Sequence, residues 1–259
     1  MTDISILIPT YKRTASLNRL LESITGTTSA VDIVVCDDEN SDSTKEVALR
    51  NGAYYITGEN KGVCWNKNRG LYFIANTLKS NRYLIIEDDC QVDKVDWLDS
   101  WVTAIDTVGH INYAHPVTIM SRSEFLVSGS GQPSDPYLTT MLTGQCTGGT
   151  SKSLAEAGYL SSLFRGYGHG HVEWTLRNID TGHGGGHKEG GNYHFFGINY
   201  GIVDHMLPTF KDQSSIDANF AVLRDLRKSK KAGISPWETE EESVEFLAEQ
   251  NNTLAPPVK

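Results

Sequence analysis

The sequence predicts an α/β fold built on a mostly parallel, doubly wound sheet, on two observations. Over the first 108 residues, short apolar runs alternate with amphipathic stretches, the pattern of successive βα units. The 259 residues, one large domain or two small ones by length, are 39% hydrophobic and 21% charged, near globular averages, which excludes wholesale disorder. Read as a single domain, the chain divides into a first half over 1–110, a second half over 111–210 that elaborates the sheet, and C-terminal helices and tail over 211–259.

Four strands are expected at Ile4 to Ile8, Ile33 to Cys36, Ala53 to Ile56 and Tyr83 to Glu87, each short and rich in Ile, Val or Tyr. A helix follows each one. Leu17, Leu20, Leu21 and Ile24 form the i, i+3, i+4, i+7 stripe of the first, with Thr14 or Ser16 as its N-cap. The second begins near Ser41 and stops before Asn51-Gly52, and the third runs from about Trp65 to Leu78. Trp97, Trp101, Ala104, Ile105 and Val108 stripe the fourth.

Beyond residue 110 the regularity fades into one apolar run, His115 to Met120, a Ser/Gly/Pro-rich loop and the segment Thr143 to Arg177. Residues 181–192 hold six glycines, too many for a helix or strand interior, and are expected to form a mobile loop. The C-terminal part carries an amphipathic helix with Ile216, Phe220 and Leu223, a basic RKSKK patch, and an acidic helix from Pro236 to about Gln250.

Composition excludes several functions. The four cysteines form no CxxC pair, so neither a zinc knuckle nor a redox motif is indicated. A net charge of -9 opposes broad electrostatic binding to nucleic acid. No apolar run approaches the roughly 18 residues of a membrane span, and the N-terminus lacks the basic and apolar regions of a signal peptide, so the protein is expected in the cytoplasm.

Ligands of open α/β sheets bind beyond the carboxyl ends of the strands, so the four strand ends matter most. They read PTYKR, DDENSDS, GENKG and EDDC. The cluster Glu87-Asp88-Asp89 places three carboxylates at the end of a buried strand, where they repel one another unless a cation or hydrogen-bond donors stabilise them, a divalent metal being the natural partner. Hard oxygen ligands suit Mg2+ or Mn2+ carrying a diphosphate. PTYKR is neither a GxGxxG nor a GxxxxGK loop, so a phosphate must be held by metal and side chains.

The runs ISILIPTYKRTASLNRLLESI, DIVVCDDENSDST, GENKGVCWNKNRGL and YLIIEDDCQV, in order and spacing, resemble the nucleotide-sugar-binding half of the glycosyltransferase A fold, in particular the family 2 enzymes. The segment CTGGTSKSLAEAGYLSSLFRGYGHGHVEWTLR resembles, more weakly, the acceptor-side motif of that family. The resemblance implies a metal-dependent enzyme moving a hexosyl or pentosyl group from a nucleotide-diphosphate sugar, by default UDP-linked, to a saccharide or other hydroxyl acceptor with inversion.

It also implies site residues. Pro9, Thr10, Tyr11 and Arg13 would line the base and ribose pocket, and Asp37 and Asp38 would contact the base. Asn60, Lys61, Gly62 and Asn68 fall at diphosphate and ribose contacts. Asp89 occupies the metal-binding end of the Asp-x-Asp motif, with Glu87 and Asp88 supporting metal or ribose. His194 and His205 are the candidates for a later metal ligand. Where the family has its catalytic Glu-Asp pair this chain has Gly170 and His171, which leaves His171 or Glu173 as general base. On a helix these two point about 200° apart and do not share one role. Two alternatives stay open: transfer of sugar to modified DNA bases or to protein, for which RKSKK with Arg177 and Lys188 gives a modest basic stripe, and a non-catalytic nucleotide-sugar-binding homologue. A nucleotidyltransferase is disfavoured by the absence of a Gly-rich loop after the first strand.

Overall fold

The computed structural model describes residues 3–28, 31–121, 123–187, 192–205, 212–230 and 232–257. The first half alternates as expected: β1 (Ile4–Thr10), α1 (Thr14–Thr27), β2 (Asp32–Asp37), α2 (Asp42–Arg50), β3 (Tyr54–Thr57), α3 (Val63–Phe73), β4 (Arg82–Ile86), a short β5 (Cys90–Val92) and α4 (Trp97–Val108). A π-helical turn, Ile74–Leu78, extends α3. The second half adds β6 (His110–Tyr113), α5 (Pro116–Ser121), β7 (Leu126–Ser128), β8 (Tyr137–Thr139), β9 (Cys146–Thr150), α6 (Ser151–Ala157), α7 (Gly170–Asp180), β10 (Gly185–His187), β11 (Tyr193–Ile198) and β12 (Ile202–Asp204). The C-terminal helices are α8 (Gln213–Ser229) and α9 (Glu240–Asn251).

One sheet spans both halves in the order β3-β2-β1-β4-β9-β6-β11-β8-β7. Strands β1 to β4 pair in parallel, β9 enters antiparallel between β4 and β6, and β11 returns parallel to β6. Six principal strands therefore point the same way and deliver their carboxyl ends to one rim. The apolar stripe of α1 packs with Trp97, Trp101 and Ile105 on one face of the sheet, while α3, Tyr83, Phe164 and Trp174 cover the other.

Helix α3 is unlike the others because Asn66, Lys67, Asn68 and Arg69 are consecutive, polar and buried. Successive helical residues point about 100° apart, so the four side chains leave in four directions. Asn66 donates to the Cys36 carbonyl at 2.8 Å, and Lys67 pairs with Glu87 at 2.6 Å. Asn68 donates to the Leu160 carbonyl at 2.8 Å and to that of Pro236 at 3.2 Å, and accepts from the Leu160 N–H at 3.1 Å. Arg69 reaches Asp38 and Glu249. Each polar group is satisfied, which is the condition for burying it.

Several local expectations are corrected. The N-cap of α1 is Arg13, without a side-chain cap bond, because the Thr14 hydroxyl is spent on Thr44 of α2 at 2.8 Å. The run His115 to Met120 lies largely in helix α5. Within the glycine-rich segment, Gly185–His187 form β10 against β11, while residues 188–191 lie outside the described ones. Glycine is required at 184, where φ is +81° and a Cβ would stand 2.7 Å from the His110 carbonyl. The acidic helix starts at Glu240, capped by the Thr239 hydroxyl on the Glu242 N–H. On α8 the buried residue is Asn219, which holds the carbonyls of Arg165, Tyr167 and Gly168, while Phe220 is exposed.

Gly70 faces Leu7 of β1 so closely that a Cβ would lie 2.1 Å from Leu7 Cδ1. In an exposed helix Gly→Ala stabilises by about 1 kcal/mol. Here overpacking reverses the sign, and Gly70→Ala is expected to destabilise the protein by about 1–3 kcal/mol in urea unfolding.

Candidate active site

At the carboxyl rim of the sheet a cavity of about 260 Å3 is lined from β1 by Pro9, Thr10, Tyr11 and Arg13, from β2 by Asp38, and from β4 by Glu87 and Asp88. Asn60, Gly62 and Asn66 complete this wall, and Gly166, Tyr167, Asp212 and Ser215 form the facing one. The two walls touch closely: Gly62 has φ +97°, and a Cβ there would lie 2.6 Å from the Gly166 N–H nitrogen.

The carboxylates are individually held. Asp88 accepts from Thr10 Oγ1 at 2.7 Å, and Arg13 Nη1 bridges Asp88 at 3.1 Å and Asp89 at 3.0 Å. Burial pushes the Asp88 carboxyl up to about 7, opposed by the Thr10 hydrogen bond, assisted by Glu87 and opposed by Arg13. Burial also raises Asp89, against Arg13 and together with Asp204. Asp38 is pushed up to about 6 by burial and drawn back by Arg69, 2.6 Å away.

Asp89, Cys90 and Asp204 bring ligand atoms within 4.8 Å of one another. The pairing of β12 with β5 makes this group, setting Asp204 opposite Cys90. Burial holds the Cys90 thiol far above its ordinary pKa, so the hard donors are the two carboxylates. Gln145 Nε2 donates to Asp204 Oδ2 at 3.0 Å, and Gln145 Oε1 is buried with no hydrogen-bond partner among the described residues. Two carboxylates beside an orphaned amide oxygen fit a hard divalent cation.

The remaining residues singled out from the sequence divide in two. Asn60 accepts from the Gly62 N–H at 3.1 Å and lines the cavity with it. Asp37 does not face the cavity: its oxygens accept from the N–H groups of Glu39 and Ser41 and from the Tyr55 hydroxyl, each at 2.9 Å. Lys61 turns to Glu245 and the Trp65 ring, and Asn68 is spent on Leu160 and Pro236. Neither imidazole joins Asp89. His205 Nε2 is 2.7 Å from Gln91 Oε1, although its N–H donates to the Asp89 carbonyl at 3.1 Å. His194 lies toward the opposite rim, because Ile198, four residues later on β11, is the one level with Tyr113.

His171 and Glu173 both sit on α7, outside the cavity lining. Glu173 is buried with Oε1 3.0 Å from Arg177 Nε and Oε2 2.7 Å from Nη2. His171 Nε2 is 3.1 Å from the Thr143 carbonyl, and burial, with Lys67 nearby, lowers its pKa to about 3. Asp204, Lys67, Arg69, Tyr167 and Ser215 were not indicated by the sequence; for Asp204 the only signal was its neighbour His205.

The sequence model of glycosyl transferase family 2 matches residues 5–149, more than half of the chain. The chain belongs to glycosyl transferase family 2. The 4,4'-diaponeurosporenoate glycosyltransferase of Staphylococcus haemolyticus is 29% identical over 100 residues, 38% of this chain and 27% of that protein. Among solved structures, GalNAc-T7 with UDP, GalNAc and Mn2+ superposes with a TM-score of 0.60 at 14% identity, over 96% of this chain and 55% of that one. Residues 1–349 of Staphylococcus aureus TarS do so at 0.56 and 14%, over 96% and 70%. This family 2 chain thus has the glycosyltransferase A fold. Among its described residues, no helix is long and apolar enough to cross a membrane.

Carboxyls raised from about 3.9 in the unfolded chain take up protons on folding, so they favour the folded state at low pH and cease to as pH rises through their folded values. Asp38 at about 6 and Asp88 at about 7 thus each contribute a loss of stability between pH 5 and pH 8, while the buried imidazoles of His110 and His171, lowered to about 3, contribute a gain over the same range, so the carboxyl part is read as the difference between wild type and a variant. Asp88→Asn should remove on the order of 2 kcal/mol of that dependence and raise the pH 8 melting temperature, as calorimetry would record.

Proposed function

We propose that this family 2 enzyme transfers a sugar from a UDP-sugar to an acceptor hydroxyl with inversion, using Mn2+ or Mg2+. The observation that carries the reading is a cavity lined by Asp38 on one strand end and by Asp88 on another, next to a group outside its lining in which Asp89, the neighbour of Asp88, meets Asp204. Asp38 accepts from the base, Pro9, Thr10 and Tyr11 flank base and ribose, and Asn60 and Gly62 face the diphosphate. Asp89 and Asp204, steadied by Gln145, hold the metal, which when bound supplies Lewis-acid stabilisation of the departing diphosphate.

The acceptor hydroxyl loses its proton as its oxygen attacks the sugar carbon, and the bond from that carbon to the diphosphate oxygen breaks. Glu173 has both oxygens on Arg177 and keeps α7 in place. Of the two candidates His171 then remains for the proton: with Nε2–H directed at the Thr143 carbonyl, Nδ1 keeps its lone pair, and the role requires that bound donor and acceptor reach His171 from the cavity and raise its pKa from about 3.

Titration calorimetry with UDP, GDP, CDP and dTDP is expected to show Mn2+-dependent binding of UDP, weakened on the order of 100-fold in Asp89→Ala. No binding of any nucleoside diphosphate overturns the reading, and tight binding without UDP release when acceptor is added favours a non-catalytic homologue. His171→Gln is expected to lower kcat by about 10^2–10^4 with UDP affinity retained. Glu173→Gln, which breaks a buried pair, is expected to cost about 3–5 kcal/mol of stability instead. The reverse pattern assigns the base to Glu173.

A further inference from the structure

The family match ends at residue 149, yet a carboxylate 100 residues beyond it reaches the nucleotide end of the cavity through one side chain. Glu249 on α9 is buried, although Glu245, paired with Lys61, and the exposed Val244 and Leu247 mark most of that helix as surface. Its Oε2 accepts from Arg69 Nε and from Trp65 Nε1, both at 2.9 Å, and its Oε1 accepts from Arg69 Nη2 at 2.8 Å.

Arg69 has five N–H donors, and all five are engaged. Nε and one hydrogen of Nη2 go to Glu249, and the other Nη2 hydrogen to the Glu59 carbonyl at 2.8 Å. Nη1 supplies Asp38 Oδ1 at 2.6 Å and Asn66 Oδ1 at 3.0 Å. A guanidinium committed in this way cannot rotate without breaking a charged hydrogen bond, and Arg69 is wholly buried. Asp38 is left with Oδ1 occupied and no protein donor to Oδ2 among the described residues, while it lines the cavity. One carboxylate oxygen is thus fixed by the protein and the other presented to a ligand.

Gly58 leaves no slack: a Cβ there would fall 1.8 Å from Glu249 Oε1 and 2.6 Å from Arg69 Nη2. The strand-end loop Gly58 to Gly62, whose Asn60 and Gly62 line the cavity, is thereby packed on the same ion pair.

We infer that Glu249 is a positioning residue for nucleobase recognition: by holding the Arg69 fork it fixes the orientation in which Asp38 offers its free oxygen to an N–H of the base. The inference rests on the UDP-sugar reading above. A carboxylate acceptor selects bases that present a ring N–H, such as uracil, over cytosine, whose corresponding ring nitrogen is itself an acceptor. Discrimination of this kind needs the acceptor held to within a fraction of an ångström, which a mobile aspartate would not provide.

The test compares wild type with Glu249→Gln, which keeps the shape but replaces one charged acceptor by a donor, and with Glu249→Asp, which keeps the charge but withdraws it from the fork. Binding of UDP and CDP is measured by calorimetry with Mn2+ present, Mn2+ binding alone by paramagnetic resonance, and folding by melting. Both variants are expected to lose about tenfold in UDP affinity with little change for CDP, so that the UDP-to-CDP preference collapses while Mn2+ affinity stays within about twofold. A purely structural role predicts equal losses for UDP, CDP and Mn2+, and that outcome overturns the inference, as does unchanged UDP affinity in both variants. Where Glu249→Gln does not fold, the Asp variant decides on the same two ratios. A wild type that binds neither nucleotide overturns the UDP-sugar reading itself, whereas wild-type UDP preference retained in the variants overturns only the role of Glu249.

Discussion

Four consecutive buried polar residues, Asn66 to Arg69, hold the site together. Burying such a run is costly unless each group meets a partner, and in α3 every partner is a different part of the molecule: the end of β2, the end of β4, the Leu160 and Pro236 backbone, and α9. The arrangement works only where the helix axis, the sheet rim and the C-terminal helix are in register. Two of the four are cations, and they answer two of the carboxylates that the strands bring to the rim. Arg13 answers two more.

Burial is the chief reason that the carboxyls of Asp38 and Asp88 are raised, with neighbouring carboxylates adding to it, so this rim costs folding free energy to form. Binding surfaces are often built at the expense of stability in this way. Strand pairing of β12 with β5 is what sets Asp204 beside Asp89, so the grouping of the two carboxylates is made by the fold rather than by neighbouring sequence.

Much of this was legible in the sequence where it depended on local pattern. Strands β1, β2 and β4 announce themselves because a strand buried on both faces is a near-continuous apolar run rich in Ile, Val or Leu, and the acidic ends of β2 and β4 follow directly from them. Pairings made at long range were not. The strand at Cys146–Thr150 is two glycines and two threonines among five residues, too small and polar to read as the central antiparallel strand it is. The sequence drew attention to His205 for its imidazole, whereas strand pairing delivers the carboxylate of its neighbour Asp204. His194 sits on a well-formed strand, but no periodicity tells which rim a strand end reaches. Glu249 stands in a run of glutamates that reads as a solvated helix face, and only the fold shows that one of them is internal.

The Arg69–Glu249 pair spans 180 positions of chain, so it cannot form before residue 249 has been synthesised. Until residue 249 has been synthesised and α9 has docked, the first half of the sheet carries a guanidinium with two of its charged hydrogen bonds missing, at a place from which water is to be excluded. The loop-closure entropy of so long a segment must also be met before the pair forms. The Asp38 end of the cavity therefore gains its fixed geometry only when α9 docks, although the residues that line that end lie far earlier in the chain. A nascent chain with its parallel-sheet half already formed would hold the residues of this cavity wall without their fixed geometry.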